Sequence, residues 1–311
     1  MLGIELSKKY YEEFGRPMFE RDFSPYLDRI AVGLVGHGSE CFGFDDEISR
    51  DHDFAPGFCI WITEEDDREF GFRLMRAYAK LPKEFLGIKC ADKSLGGSNA
   101  LGVHTINSFY SEYTGREGAP ESWQDWLFTP SHYFAEATNG EIFADPLGEF
   151  SRIRSIIKEG MPEDVRLKRI ACCLLHMAQA GQYNYKRCIA HGENGAARLA
   201  LAEFAEYAAE IAFLLEKQHA PYYKWIFRAM RLLPHLSHLA QKLEEIITLP
   251  SEETLKIELA IESYCKEIVS ELNRQGIIQS DCDYLEPHAF AVNASIKNPE
   301  IRNLHIYYNN D

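Results

Sequence analysis

The clearest pattern in the chain is the run 58–62, where Phe58, Ile60 and Ile62 alternate with Cys59 and Trp61. Both faces of that run are apolar, which predicts a strand in the interior of a sheet. Upstream, Tyr26, Ile30, Ala31 and Leu34 recur at i, i+4, i+5 and i+8, the spacing of a helix with one core-facing stripe. Residues 5–35 therefore read as helical in two pieces, broken near Phe23-Ser24-Pro25, with Ser24 as N-cap and Pro25 in the first helical position. Gly36 then permits a sharp turn. Downstream, 64–80 is expected to be a helix capped by Thr63, with acids crowding its first turn and Arg73, Arg76 and Lys80 towards its end. Residues 85–89 and 103–106 read as strands separated by the loop Gly96-Gly97-Ser98-Asn99, 107–113 and 121–128 as short helices, and 141–146 as a short strand.

From about Phe150 the strand pattern stops. Helical spacing runs through 163–182, 195–218, 222–233, 237–249 and 252–275, with Pro162, Pro221 and Pro250 near three of the starts. Short connections predict antiparallel neighbours and hence a bundle. The tail 281–311 is mixed: Phe290, Val292 and 304–308 would dock on the bundle or add an edge strand. The expected fold class is α+β, a small mixed sheet domain over 1–149 followed by an antiparallel helical bundle over 150–311.

Composition narrows the partners. The 311 residues are 46% hydrophobic and 13% aromatic, enough material for a core, and their net charge of -15 argues against a general nucleic-acid binder. Eight cysteines are present without a C-x-x-C pair, so a structural zinc site has little support and a reducing compartment is expected. Adjacent Cys172 and Cys173, in an apolar helical stretch, are expected to pack as small hydrophobes. The polar N-terminus lacks a signal-peptide core, and no apolar run approaches the roughly 20 residues of a membrane span. The expectation is a soluble cytoplasmic protein.

The candidate chemistry lies just before the apolar strand. On a strand, Asp51 and Asp53 would project from the same face. Two carboxylates so placed repel unless a cation sits between them, which suits Mg²⁺ (or Mn²⁺). Gly38-Ser39 upstream offers backbone N–H groups and a hydroxyl for phosphates. The bland reading makes Asp45, Asp46, Glu47, Asp51 and Asp53 a solvated acidic loop; the serine upstream and the strand downstream favour the metal reading.

These residues resemble a known signature. Gly38-Ser39, an eleven-residue spacer and Asp51-x-Asp53 look like the DNA polymerase β-type nucleotidyltransferase superfamily. The run Gly33-Leu34-Val35-Gly36-His37-Gly38-Ser39-Glu40-Cys41-Phe42-Gly43, with Ser49-Arg50-Asp51-His52-Asp53, is similar to a bacterial branch of it that pairs a small α/β domain with a helical one. The resemblance extends more loosely through Asp145-Pro146-Leu147-Gly148, Gly181-Gln182-Tyr183-Asn184-Tyr185 and Pro221-Tyr222-Tyr223-Lys224-Trp225.

By this resemblance Ser39 would contact the phosphates of an NTP such as ATP, Gly38 would allow the close approach, and Asp51 and Asp53 would be catalytic and hold the metal. The superfamily's third carboxylate would come from a neighbouring strand. Here the corresponding strand, 103–106, offers His104, which reads either as a base or as a hydrogen-bonded strand histidine. Glu112, Glu141 and Asp145 are other acids that folding would have to bring in. Lys186, Arg187 and Lys224 would clamp a triphosphate; otherwise they are surface cations with packed stems. The implied activity moves an NMP onto a hydroxyl of a small molecule or protein. The rival reading, motivated by His104, is a nucleotide-binding or regulatory module without turnover, or an antitoxin-like partner protein. The partners implied are an NTP and an acceptor, without nucleic acid or membrane; a homodimer stays open.

Overall fold

In the computed structural model, residues 1–47, 55–89 and 101–307 are described. The chain opens with α1 (Gly3–Tyr10), which passes through a π-helical turn (Tyr11–Gly15) into α2 (Arg16–Asp22) and a 3₁₀ segment (Ser24–Arg29). Next come β1 (Ala31–Leu34), β2 (Cys59–Ile62), α3 (Glu64–Asp66), a π-helical turn (Asp67–Gly71), α4 (Phe72–Tyr78) and the small hairpin β3 (Glu84–Phe85) and β4 (Ile88–Lys89). Then follow β5 (Gly102–Thr105), α5 (Ile106–Thr114), α6 (Trp123–Phe128), α7 (Ser131–Thr138), β6 (Glu141–Ala144) and α8 (Glu149–Glu159). The rest is helical: α9 (Glu163–Met177), a π-helical stretch (Ala178–Tyr185), α10 (Lys186–Ala190), α11 (Asn194–Leu215), α12 (Tyr223–Met230), α13 (His238–Thr248), α14 (Thr254–Arg274), α15 (Glu286–Ser295) and α16 (Pro299–Asn303). The fold is α+β.

The chain divides into two compact units. One comprises residues 1–125 and 133–160; the other comprises 126–132 and 161–311. In the first unit the main sheet has the order β5-β2-β1-β6, with β1 antiparallel to both β2 and β6 and β2 parallel to β5. One face of it is covered by the opening helices and α4, where Leu6, Tyr10, Phe19, Phe58, Ile60, Ile62 and Leu74 form a core. On the other face Trp61 is fully buried, stacked on Phe150 at 3.9 Å and edge-on to Phe109 at 5.4 Å. Removing a side chain so enclosed typically costs about 3–5 kcal/mol.

The expected helix over the end of 5–35 is a strand at Ala31–Leu34. Its four residues are buried, and a short apolar run satisfies either period; what decides is the pairing available on both sides. Ser24 does not cap by its side chain; the chain there is a short 3₁₀ segment whose N-cap position is Phe23. Thr63 does cap, accepting from Asp66 N at 3.2 Å. The apolar run 85–89 is a hairpin rather than one strand. Gly33 shows why β1 and β6 lie close: a Cβ there would meet the Glu141 carbonyl oxygen at 2.5 Å.

In the second unit α9 and α11 form the centre of a single core, with α13, α14 and α15 packed around them. Cys172 and Cys173 are buried in α9, as small hydrophobes would be. Lys168 is also fully buried on α9. Its ammonium donates to Asn293 Oδ1 at 2.8 Å and to the Leu304 carbonyl at 2.6 Å, while burial pushes its pKa down. The tail is helical, with Val292 buried and Phe290 exposed. Among the described residues no helix is long and apolar enough to cross a membrane.

Candidate functional site

The loop leaving β1 is held from three directions. Asn139, just ahead of β6, brackets Gly36: its Oδ1 accepts from Gly36 N at 2.9 Å and its amide donates to Gly36 O at 2.8 Å. Gly36 and Gly38 take φ values of 125° and 113°, a region that L side chains rarely adopt, so the sequence Gly-x-Gly is a requirement of this turn. Ser39 follows, largely buried, and its carbonyl accepts from Phe42 N at 3.2 Å and Phe44 N at 2.8 Å, closing the next turn.

His37 sits between the two glycines and is fixed by two carboxylates. Its Nδ1 lies 2.7 Å from Glu136 Oε2 on α7 and its Nε2 lies 3.4 Å from Glu112 Oε1 on α5. Tyr113 packs beside the ring at 5.2 Å. An imidazole with an acceptor at each nitrogen is best served when both carry a proton. The Glu136 carboxylate raises the His37 pKa first, burial opposes it, and Glu112 adds to the rise. Two thiols lie under the loop, with Cys41 Sγ 3.3 Å from His37 O and Cys59 Sγ 3.8 Å from Val35 O. Burial pushes Cys41 well up and Cys59 to about 12. Both therefore stay protonated and poor as nucleophiles or ligands.

Asp51 and Asp53 lie outside the described residues. The described chain resumes ahead of β2, whose first residue, Cys59, pairs with Gly33, three residues before Gly36. His104 lies elsewhere along the sheet. It is aligned with Trp61, and Trp61 with Ala31, so its row is five residues from Gly36 along β1, roughly 16 Å at strand rise. The end of β5 nearer the loop is Gly102, and the chain leading to it, 90–100, is outside the described residues.

Of the other acids considered, folding brings Glu112 to the loop. Glu141 instead pairs with Lys8, and Asp145 accepts from Gly148 N and Ser151 N at 3.0 and 2.8 Å at the start of α8. Glu136 was not foreseen, because α7 carries it and residues 131–138 were not read as a helix. Residues 134–138 are all buried, so no polar face marks a helical period there.

Lys186, Arg187 and Lys224 belong to the second unit and are exposed. Arg187 donates to the Tyr183 hydroxyl at 2.8 Å and lies 5.0 Å above that ring; Lys224 lies 5.7 Å from the Trp225 ring. Tyr185 is buried, Tyr183 exposed. Among the described residues there is no group of three or more His, Cys, Asp or Glu arranged to hold a metal ion.

A family model described as "Domain of unknown function (DUF4037)" matches residues 126–226. No curated protein matches the chain. Among solved structures, a nucleotidyltransferase-like protein from Exiguobacterium sibiricum 255-15 overlays 84% of this chain and 79% of its own at 10% identity, with a TM-score of 0.37.

Proposed function

We propose that the chain is a metal-dependent nucleotidyltransferase, which moves an NMP from an NTP to a hydroxyl of a small molecule or protein. The observation that supports this reading is the loop Gly36–Ser39. Asn139 and the His37 carboxylate pairs fix it beyond β1, and the segment carrying Asp51-x-Asp53 leads into the adjacent strand β2. In this proposal Ser39 contacts the outer phosphates, and Gly38 keeps the backbone approachable. Asp51 and Asp53 supply hard oxygen donors, a set that suits Mg²⁺ or Mn²⁺. Bound there, the ion would supply neutralisation of phosphate charge. The acceptor oxygen forms a bond to the α-phosphorus, the α–β bridging bond breaks, and pyrophosphate leaves with the electron pair. The hydroxyl proton passes to a base.

The test is titration of NTP with Mg²⁺ by calorimetry. Asp51→Asn with Asp53→Asn should abolish metal-dependent binding with an unchanged circular dichroism spectrum; undiminished binding would sink the reading. The rival reading, a nucleotide-binding or regulatory module without turnover, is favoured by one observation. The strand paired with β2 carries Gly102, Val103, His104 and Thr105 and no acid. Incubation with labelled NTPs, Mg²⁺ and a metabolite extract separates the two: a labelled product or self-labelling marks the enzyme.

A further inference from the structure

The helical unit contains a cavity of about 720 Å³ between α9, α11, α12 and residues 130–132, within the range of small-molecule sites. Its walls are mainly apolar, with Tyr207, Tyr222 and Phe227 among them, and two carboxylates, Glu206 and Glu210, one turn apart on α11. The cations at its edge have other work. Arg169, nearly fully buried, gives one guanidinium nitrogen to the carbonyls of Trp126, Leu127 and Thr129 at 2.9, 3.2 and 2.6 Å. Arg198 donates to the Leu249 carbonyl at 3.2 Å.

Glu210 faces Arg169 Nη1 at 3.6 Å, close enough to feel its charge and too long for a hydrogen bond. Burial pushes the Glu210 carboxyl up, Arg169 pulls it down, and Glu206 adds to the rise. Glu206 and Glu210 thus place two carboxylates beside aromatic and aliphatic walls. Such walls also attract cations to their ring faces.

We propose that this cavity binds a small organic amine with an apolar body, its ammonium on Glu210 and Glu206 and its body against Tyr207, Tyr222 and Phe227. This goes beyond nucleotide transfer and stands without it, since binding needs neither NTP nor metal. The experiment titrates the full chain with 2-phenylethylamine and, separately, with 2-phenylethanol, which has the same body and no charge. The amine should saturate and bind at least tenfold tighter than the alcohol. Glu206→Gln with Glu210→Gln should cost the amine at least tenfold and leave the alcohol unchanged. Ala202→Trp, at an exposed position on the cavity lining, should weaken both. Equal affinity for the two compounds, no saturation by the amine, or an amine affinity indifferent to either variant would overturn the proposal. Should the double carboxamide variant fail to fold, the amine–alcohol ratio on the unaltered chain and the Ala202→Trp result decide it.

Discussion

A histidine with a carboxylate against each ring nitrogen is a proton held in place. For His37 the folded pKa is raised above the ordinary 6.5, first by Glu136. The stabilisation from its charged form is therefore fully present below that ordinary value and is lost as pH rises through the folded value. The loop Gly36–Ser39 should be held most firmly on the acid side of the His37 transition. An NMR titration of the His37 ring should show its midpoint above 6.5, and Glu136→Gln should move it back down. A midpoint at or below the ordinary value in the unaltered chain would contradict the imidazolium assignment. Neither Gly-x-Gly nor His37 alone foretold this clamp. Glu112 and Glu136 stand 75 and 99 residues further along the chain, and only α5 and α7 bring them in.

At the scale of elements, the π-helical stretch Ala178–Tyr185 shows how a side chain fixes an irregular segment. Gln182 is 3% exposed and uses both ends of its amide. It donates to Glu262 Oε2 at 2.6 Å and to the Asp283 carbonyl at 3.1 Å, and its Oε1 accepts from Leu285 N at 2.9 Å. Gln182→Leu would leave the buried Leu285 N–H without that acceptor, at a cost of about 1–3 kcal/mol. Urea denaturation followed by circular dichroism should show that loss; a change below about 0.5 kcal/mol, the usual scatter of surface substitutions, would argue that water replaces the amide. The same elements show what a sequence can tell. The interior strand at Cys59–Ile62 was legible because Phe58, Ile60 and Ile62 alternate with Cys59 and Trp61 in a run apolar on both faces, and α11 and α14 because apolar residues recur at helical spacing over many turns. Ala31–Leu34 was not, because its four buried residues fit helix and strand alike, and neither was α7, whose buried run has no polar face to mark a period. The turn after β1 was legible in Gly36 and Gly38, both at positive φ, while the register that carries His104 away from Gly36 is a property of strand pairing that no local pattern encodes.

The division of the molecule into units does not follow chain order. Residues 126–132 belong with 161–311, while 133–160 belong with the first unit. Arg169 depends on that excursion, since the carbonyls of Trp126, Leu127 and Thr129 receive its Nη2, and Trp126 and Leu127 are themselves buried. A fragment of residues 161–311 would lack these acceptors and expose a buried guanidinium. Made alone, it should melt broadly or well below the full chain in differential scanning calorimetry. A sharp transition at the full chain's temperature would show that the excursion is dispensable.

Lys168 carries a consequence for synthesis. Its two acceptors, Asn293 and the Leu304 carbonyl, lie 125 and 136 residues downstream. At ordinary translation rates of about 5–20 residues per second, that separation is a delay of roughly 7–27 s. During that interval the ammonium must stay in water, since burying it without acceptors is costly. The middle of α9 therefore cannot reach its final depth until Leu304 has been added. The growing chain holds one of its central helices half-submerged, and the ribosome sets the moment at which it closes.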